Sequence, residues 1–512
     1  MKLLSILRTS ISLFFILLLV TVNGYALPAF PTAEGFGSET VGGRGGVIIH
    51  VTNLNDAGAG SFREAVTTPG ARTVVFDVSG NIELQTQLQI TEPYLTIAGQ
   101  TSPGGICIAG EQVTVGAHDV IIRHMRFRMG QASVDDPPND PNEHDSFDIW
   151  GSCAGGSMDG YNVVVDHCSL SWGADETSTF TYGAHDITVQ WSMFYEGLKT
   201  DANHSKGLAM SNKLCPDGQP GVYNISGHHN FFASNYDRNP YIAGGNETPG
   251  LIDWRNNVAY NWYGANNISI QGDRRLNAVH NLSVAGPESN PQEGSWPITQ
   301  VPSDTRVCFN DECKIYVLGN LGGQRVSQDM DEWCVADWFN SDLISTDEQS
   351  LVEYPAVPIT ITPMDWDPDS NTSVVGSEIV SKTGATKPIR DDADVSIISD
   401  FENHAGTIPT WKAFPDDYPP LSQDGDNPLD TDQDGMLDAW EIENGTDPNT
   451  ANNNDHTFDA EYTDIEYYIN TLAGDYEGEP PQPPAEGCPL GGNSQFQTGG
   501  NSQIIMFQST LH

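Results

Sequence analysis

Basic residues are scarce in this chain of 512 residues. Lys and Arg together number 22, against 69 Asp and Glu, and the formal net charge is −47. This charge excludes long-range attraction to nucleic acid or to an anionic membrane surface. It also disfavours a polyanionic substrate, unless cations gather at the site that binds it. Residues 413–512 contain 20 acidic residues and no Lys or Arg, so much of the imbalance belongs to the C-terminal end.

Long apolar runs are missing after the N-terminus, which excludes a later membrane-spanning helix. At the start, Lys2 and Arg8 lead into a short apolar run over residues 11–22, and Gly24 and Ala26 have the spacing of a cleavage site. The pattern predicts a signal peptide over residues 1–26 and a secreted protein, extracellular or periplasmic, with no membrane attachment after cleavage. An uncleaved N-terminal anchor is the alternative.

Zinc-ligand spacing is also absent among the eight cysteines. Secretion would permit disulfide bonds. Cys308 and Cys313 are close enough in sequence to pair, with Cys334 as a competitor, and one sequence does not decide the connectivity. Cys168 lies inside an apolar strand pattern, which predicts a buried thiol.

Short β-branched and aromatic runs recur from about residue 46 to 320, with little helical periodicity between them. Their repeat of roughly 20 to 30 residues is typical of a solenoid, whose coils bury their apolar faces by stacking. Asn follows the middle strand in four runs, at Asn230, Asn257, Asn281 and Asn320. We expect these side chains to form a hydrogen-bonded ladder, with simple turn propensity as the alternative. The segment 61–66 is expected to cap the first coil.

After residue 320 the strand pattern fades. Residues 321–423 are expected to be irregular and to pack on the solenoid, and residues 477–512 to form a flexible tail. Between them, residues 424–476 contain DTDQDGMLDAWE (430–441), which matches the twelve-residue loop of an EF-hand. The predicted calcium ligands are Asp430, Asp432, Asp434, Asp438 and Glu441. The helix that normally precedes such a loop is missing, and the expected role is stability or attachment.

Charged residues also follow strands within the solenoid region. Asp145 lies in HDSFDIWGS, Asp175 and Glu176 end VVVDHCSLSWGADE, and Lys199 and Arg238 come from later runs. If the coils stack in register, the loops after equivalent strands lie on one side. The carboxylates would then face the cations, and clustered carboxylates in an exported protein commonly bind calcium.

At these residues the sequence resembles the pectate lyases of polysaccharide lyase family 1. The resemblance begins at GFGSETVGGRGG (35–46), continues through the strand region, and resumes at 381–394 and 434–449. It implies an all-β fold, a right-handed single-stranded parallel β-helix over residues 27–320, followed by the small EF-hand-like calcium module. It also implies calcium-dependent cleavage of pectate (polygalacturonate) by β-elimination, which leaves an unsaturated sugar end.

The resemblance assigns roles to four of the charged residues. Asp145 and Asp175 match the first and second calcium aspartates of the family. Lys199 matches the lysine that contacts the substrate carboxylate, and Arg238 matches the arginine that acts as the base. Arginine is a poor base in water, so Lys206 is the alternative.

The chain departs from the family pattern in two places. Thr179 stands where a further calcium aspartate is expected, and Glu176 is the candidate to replace that carboxylate. Tyr241 and Ala243 stand where a second arginine is expected. Because a net charge of −47 opposes a polyanionic substrate, we expect binding to need calcium and a locally basic cleft, and Lys206 and Arg255 are the predicted substrate-binding residues.

Two other functions fit a solenoid of strands. A β-helical polygalacturonase would hydrolyse the same polymer with paired carboxylates, and a non-catalytic adhesin would bind cell-wall material without chemistry. The resemblance favours the lyase, acting as a monomer on pectate, with calcium as cofactor and no nucleic-acid partner.

Overall fold

The structure is a computed structural model of the chain. It describes residues 26–130, 144–155, 157–199, 205–211, 221–243, 250–263, 267–271, 274–289, 298–300, 314–323, 325–338, 350–410, 412, 416–421 and 429–476. Nearly all of the predicted signal peptide, the predicted tail, and Cys308 and Cys313 lie outside these residues. Cys168 is a buried free thiol, as predicted, Cys334 is also free, and Cys153 is in a disulfide bond.

Three parallel sheets account for the strands of the described chain. Sheet 1 contains β1 Val47–Val51, β2 Arg72–Phe76, β5 Leu95–Ala98, β8 Val120–Arg123, β11 Tyr161–Asp166, β14 His185–Gln190, β17 Tyr223–His228, β20 Leu251–Arg255, β23 Arg275–Val279 and β26 Ile315–Leu318. Sheet 2 contains β3 Gly80–Glu83, β6 Ile106–Ala109, β9 Arg126–Arg128, β12 Ser169–Ser171, β15 Met193–Tyr195, β18 Phe231–Ala233, β21 Val258–Tyr260, β24 Leu282–Val284 and β27 Leu321–Gly322. Sheet 3 contains β4 Leu88–Ile90, β7 Val113–Val115, β10 Phe147–Trp150, β13 Glu176–Thr181, β16 Lys206–Met210, β19 Tyr241–Ala243, β22 Ile268–Gln271, β25 Ile298–Gln300 and β28 Ala336–Trp338.

The order of the strands defines a parallel β-helix. The chain visits sheets 1, 2 and 3 in turn and then returns to sheet 1 beside the strand of the previous coil. Registers are maintained from coil to coil, as where β11 pairs with β8 on one side and β14 on the other. Apolar side chains of all three sheets fill the interior. The predicted solenoid is confirmed, and its right-handed sense stays a prediction.

The predicted asparagine ladder is present in the interior. The amide Nδ2 of Asn230 donates to Oδ1 of Asn257 at 3.0 Å, Asn257 donates likewise to Asn281 at 3.0 Å, and Asn281 to Asn320 at 2.8 Å. The left-handed backbone conformation belongs to the residue before each rung, for example His229, with a φ of 54°. The asparagines are therefore placed by hydrogen bonding between coils, because the positive φ lies one residue earlier.

Helix α1, Phe62–Thr67, covers the first coil, as the sequence predicts. Ser61 caps it by accepting a hydrogen bond from the backbone N–H of Glu64, and Phe62, Ala65 and Val66 are buried in the main core. Burial of one apolar face of the helix removes the open end of the solenoid from water.

Beyond residue 320 the structure is more regular than expected. Strands β27 and β28 continue the solenoid past this boundary, and two helices follow, α2 Val374–Lys382 and α3 Asp392–Asn403. Ile379 of α2 and Phe401 of α3 pack on Tyr260 and Leu282 of sheet 2. The two helices lie within residues 321–423, for which the sequence predicts irregular structure, and they pack on sheet 2; the predicted segment as a whole stays a prediction.

The last described part, residues 429–476, is called here the C-terminal module. It contains the acidic loop, residues 430–441, and helices α4 Asp438–Asn444 and α5 Asp464–Ala473. Short 3₁₀ segments occur at Gly99–Thr101, Ser152–Ala154 and Glu332–Val335. Within the described residues, none of the helices has the length and apolar character that a bilayer crossing requires.

Candidate active site

Charged side chains from four successive coils line one edge of sheet 3. Asp145 lies just before β10, Glu176 opens β13, Lys206 opens β16, and Arg238 lies just before β19. The pairing of β13 with β16 sets Glu176 directly opposite Lys206. Because the coils keep register, residues distant in sequence meet here, as the sequence analysis expected.

Three carboxylates form the acidic half of this cluster. Asp145, Asp175 and Glu176 each offer one oxygen, and these atoms lie within 4.8 Å of one another. The backbone N–H of Glu176 donates to Oδ1 of Asp145 at 2.8 Å. Burial raises the pKa of Asp145 to about 7, and the charge of Asp175 adds to the effect. Buried oxygen donors that repel each other in this way fit a calcium ion.

Two cations form the other half of the cluster. The ammonium of Lys206 lies 3.1 Å from Oδ1 of Asp175. Arg238 forms an ion pair with Glu176, and its guanidinium lies 5.0 Å from the centre of the Tyr241 ring. Burial lowers the pKa of Arg238, against the opposing influence of the nearby negative charge of Asp175. The site therefore holds an arginine whose neutral form is more accessible than in water.

The structure places Lys199 next to aromatic rings. Its ammonium lies 5.3 Å from the centre of the Tyr236 ring and 5.0 Å from that of Tyr263, and its backbone N–H donates to the carbonyl of Pro409. Within the described residues, Lys206 is the lysine that is ion-paired with the carboxylate cluster. The structure thus brings the predicted alternative lysine to the carboxylates.

Arg255 is not brought to this edge. It ends β20, a strand of sheet 1, and its guanidinium pairs with Asp253 at 2.7 Å and also with Glu353. The side chain is largely buried in this pair. Its predicted contact with substrate is corrected on this ground, because a different sheet carries it and acidic partners hold it.

Sequence analysis did not assign a role to Asp148, which lies beneath the cluster. Its Oδ2 accepts hydrogen bonds from Gln112 at 2.6 Å and Trp150 at 3.1 Å, and its Oδ1 accepts from the backbone N–H of Thr179 at 2.8 Å. Burial and the neighbouring Asp145 raise the pKa of Asp148 well above its usual range. A signal was present, since an Asp between two apolar strand residues is unusual, but two of its partners, Gln112 and Thr179, come from other coils.

The two departures from the family pattern have structural counterparts. Thr179 contributes its backbone N–H to Asp148, so this position supports a carboxylate without supplying one. Tyr241 packs against Arg238. The carbonyl of Ala243 accepts hydrogen bonds from Nε and Nη2 of Arg274, at 3.0 and 2.8 Å, so an arginine from the next coil lies beside the position that lacks one.

A second acidic cluster lies in the C-terminal module. Asp430, Asp432 and Asp434 each offer one oxygen within 4.8 Å of the others. Asp438 is oriented differently, because its carboxylate accepts hydrogen bonds from the backbone N–H and the hydroxyl of Thr431, both at 2.7 Å. The structure therefore gives Asp438 a loop-bracing contact in place of its predicted position among the ligands.

Comparison with known proteins adds independent information, although no protein-family model matches the chain. Probable pectate lyase C of Aspergillus flavus is 33% identical over 454 residues, which cover 87% of this chain and 94% of that protein. Probable pectate lyase C of Emericella nidulans is 34% identical over 460 residues, with coverage of 87% and 93%. A solved structure of a thermostable pectate lyase, PL 47, aligns with 69% of this chain and 97% of its own at 13% identity and a TM-score of 0.47. With two relatives matched over almost their whole length, the chain belongs to the pectate lyase family.

Proposed function

We propose that this pectate lyase is a secreted, calcium-dependent enzyme that cleaves (1→4)-α-D-galacturonan by β-elimination and releases 4,5-unsaturated oligogalacturonides. Family membership supports pectate as the substrate. The observation that carries the mechanism is the meeting of three carboxylates with Lys206 and Arg238 at one edge of sheet 3. A hydrolase needs an acid and a base and no such pair of cations.

The carboxylates of Asp145, Asp175 and Glu176 would hold the calcium ion. When bound there, calcium would offset the negative charge that develops beside the uronate carboxylate. Lys206 is the residue that we assign to the substrate carboxylate, because its ammonium already lies beside Asp175. Lys199, which the resemblance favoured for this contact, lies over two tyrosine rings.

Arg238 is the proposed base. It would take the proton from carbon 5 of the sugar, and the electrons of that bond would form the double bond to carbon 4 as the glycosidic oxygen leaves. The leaving oxygen then takes a proton from water. The burial that lowers the pKa of Arg238 makes its neutral form more accessible, which this step requires.

Electrostatics explain why a protein of this charge can act on a polyanion. The net charge of −47 repels pectate at long range. The cations at the site act over a few ångströms, in a partly buried environment where solvent screens them less. We expect binding to depend on calcium, because the carboxylates of the site would otherwise face the carboxylates of the substrate.

Calcium is also proposed for the acidic loop of the C-terminal module, in an EF-hand-like arrangement. Its carboxylates come from a part of the chain that supplies nothing to the edge of sheet 3 described above. We therefore assign it no step in the cleavage reaction.

Incubation with polygalacturonate separates the three candidate functions. A lyase increases the ultraviolet absorbance of unsaturated uronate in the presence of calcium, a hydrolase yields reducing ends without that absorbance, and an adhesin yields neither. Excess chelator should abolish the absorbance change. Arg238→Ala and Asp175→Asn should each reduce it by at least about 100-fold, whereas Lys382→Ala, on helix α2, should leave it unchanged. Full activity in chelator would contradict the proposal.

A further inference from the structure

The acidic loop has more carboxylate oxygens than the described protein groups satisfy. Asp430, Asp432 and Asp434 converge within 4.8 Å, and Asp434 is buried. Both oxygens of Asp432 are buried, and within the described part of the chain they have no hydrogen-bond partner. Buried carboxylate oxygens without donors cost free energy, so the loop is suited to a cation.

Glu441 supplies a fourth carboxylate from helix α4. The residue is completely buried, with 0% of its surface exposed. Its Oε1 accepts a hydrogen bond from Thr446 at 3.2 Å, whereas Oε2 is without a partner in the described chain. Glu441 is also the last residue of the acidic loop, the position from which the glutamate of an EF-hand binds calcium through both oxygens.

Asn452 supplies an oxygen that the sequence did not predict. Its backbone N–H donates to Oδ2 of Asp434 at 2.9 Å, so the segment after α4 lies against the acidic loop. Its side-chain Oδ1 is buried and lacks a hydrogen-bond partner among the described residues. Together these groups provide at least five oxygen donors, and calcium takes six to eight, with backbone carbonyls and water completing the set.

The acidic loop is packed on the first coils of the β-helix. Met436, within the loop, and Ile465 and Tyr468 of α5 form one apolar cluster with Ala98 and Ile48 of sheet 1. A side chain at Gly435 would approach Ile48 within 3.1 Å, so the loop and β1 are in close contact.

Polar and charged contacts surround this apolar cluster. Nε2 of His50, on β1, lies 3.6 Å from Oδ2 of Asp430. Arg44 pairs with Glu466 at 2.7 Å, and Arg123 pairs with Asp475 at 2.8 Å. The acidic loop and the α5 end of the C-terminal module therefore both contact the first coils of the solenoid.

We propose that one calcium ion locks the C-terminal module onto the first coils of the β-helix, held by oxygens of Asp430, Asp432, Asp434, Glu441 and Asn452. The inference extends the proposed calcium binding of the acidic loop. Without the ion, four carboxylates repel one another and the loop opens. The apolar face of Met436 and Tyr468 then leaves Ala98 and Ile48. The ion thus stabilises the fold, independently of the calcium ion proposed for catalysis.

Asp432→Asn is the most informative variant, because it removes a ligand without removing a hydrogen bond within the described chain. Glu443→Gln, an exposed position on the same helix as Glu441, is the matched control. Calorimetric titration of the full chain should show two calcium ions for the wild type and for E443Q, and one for D432N and for D175N. Calcium should raise the Tm of the wild type, E443Q and D175N by about 5 °C or more, and that of D432N far less.

Two further readouts separate this inference from the proposed function. D432N should keep the lyase rate at 25 °C, whereas D175N should lose the rate and keep the calcium-dependent rise in Tm. Hydrogen exchange of residues 46–51 should be faster in D432N with calcium than in E443Q. Equal calcium stoichiometry and equal Tm increases in D432N and E443Q would overturn the inference. Absence of lyase activity in a wild type that binds two ions would instead contradict only the proposed function.

Discussion

At the scale of single residues, Lys199 and Lys206 are both candidate site residues in the sequence, but their environments in the structure differ. Lys206 is nearly buried, opens β16, and is ion-paired with Asp175. Lys199 is held above Tyr236 and Tyr263. A cation beside the carboxylate cluster can bind a uronate carboxylate there, whereas a cation over aromatic rings contributes to local packing.

Substitution of the two lysines tests this assignment. Lys206→Ala should lower kcat/KM on polygalacturonate by about 100-fold or more, because removal of a preorganised charge partner in an active site typically has that effect. Lys199→Ala should change kcat/KM little. The measurement is the initial rate of ultraviolet absorbance increase at saturating calcium. A larger loss in K199A than in K206A would contradict the assignment.

At the scale of elements, buried ion pairs attach helix α3 to sheet 2. Asp391 caps α3 by accepting from the backbone N–H of Asp394, and its carboxylate lies 2.5 Å from Arg128 and 3.0 Å from Arg126. Burial alone would raise the pKa of Asp391, but the two guanidinium groups outweigh it and hold that pKa below its usual range. The helix is therefore joined to the strand region by charge as well as by apolar contact.

Asp391→Asn should destabilise the protein at pH 7 by about 3–5 kcal/mol, because it removes a carboxylate that neutralises the two buried arginines. Asparagine retains the capping oxygen. A carboxyl group with a lowered folded pKa stabilises the fold above its unfolded value of about 4 and loses that contribution as pH falls further. The difference between wild type and D391N should therefore shrink below about pH 4.

Urea denaturation at pH 7 and at pH 3 measures this effect. Asp392→Asn, at the neighbouring exposed position, is the control, and it should cost no more than about 1 kcal/mol through the helix dipole. A difference between wild type and D391N that is unchanged at pH 3 would contradict the ion-pair explanation.

The asparagine ladder is a second stabilising feature at the scale of elements. Oδ1 of Asn257 accepts from the backbone N–H of Asn230 at 3.0 Å, and its Nδ2 donates to the carbonyl of Gly227 at 2.9 Å. Asn257→Ala leaves these buried groups unsatisfied and should cost about 2 kcal/mol or more in the free energy of unfolding. Asn403→Ala, at an exposed position, should cost within about 0.5 kcal/mol. Chemical denaturation that gives equal values for both would contradict the role of the ladder.

The ladder and the acidic loop show how much the sequence can predict. The asparagines recur at the same place in successive strand runs, as a ladder between coils requires. The loop carboxylates stand at alternate positions, as an EF-hand-like loop requires, so both groups could be predicted from the sequence. Helices α2 and α3 could not be predicted in the same way. Each helix is short, and the role of its apolar residues is seen only from their packing against sheet 2.

At the scale of the whole molecule, charge is distributed unevenly. The C-terminal end, residues 413–512, contributes 20 of the 47 excess negative charges, and the predicted substrate is itself anionic. Repulsion between the enzyme and its substrate mainly slows their association, and salt weakens this repulsion.

Raising the ionic strength from about 0.01 M to about 0.15 M should therefore increase kcat/KM on polygalacturonate, because the Debye length falls from about 30 Å to about 8 Å. The increase should be about threefold or more at saturating calcium. At saturating substrate, kcat should change little, since encounter is then no longer limiting. A fall in kcat/KM over this range would show that local cations outweigh the net charge.

The two ends of the described part of the chain also meet, because the C-terminal module packs on the first coils. Arg123, buried in sheet 1, is shared between Asp166 of its own sheet and Asp475 of the module. Thr32, near the start of the described chain, donates to the same Asp475 at 2.8 Å. The module therefore contributes to the stability of the first coils, through contacts with sheet 1 that supplement the pairing between strands.

The solenoid of strands, the asparagine ladder, and the carboxylates and Arg238 that meet at sheet 3 could all be predicted from the amino-acid sequence. These follow from local patterns and from a repeat whose register is imposed by buried apolar faces. The folded chain was needed to show that Lys206 and not Lys199 pairs with Asp175, that Arg255 lies on another sheet, and that Asn452 lies against the acidic loop. Such contacts depend on how far each loop extends before the next strand begins, and loops of unequal length leave no periodic signal in the chain.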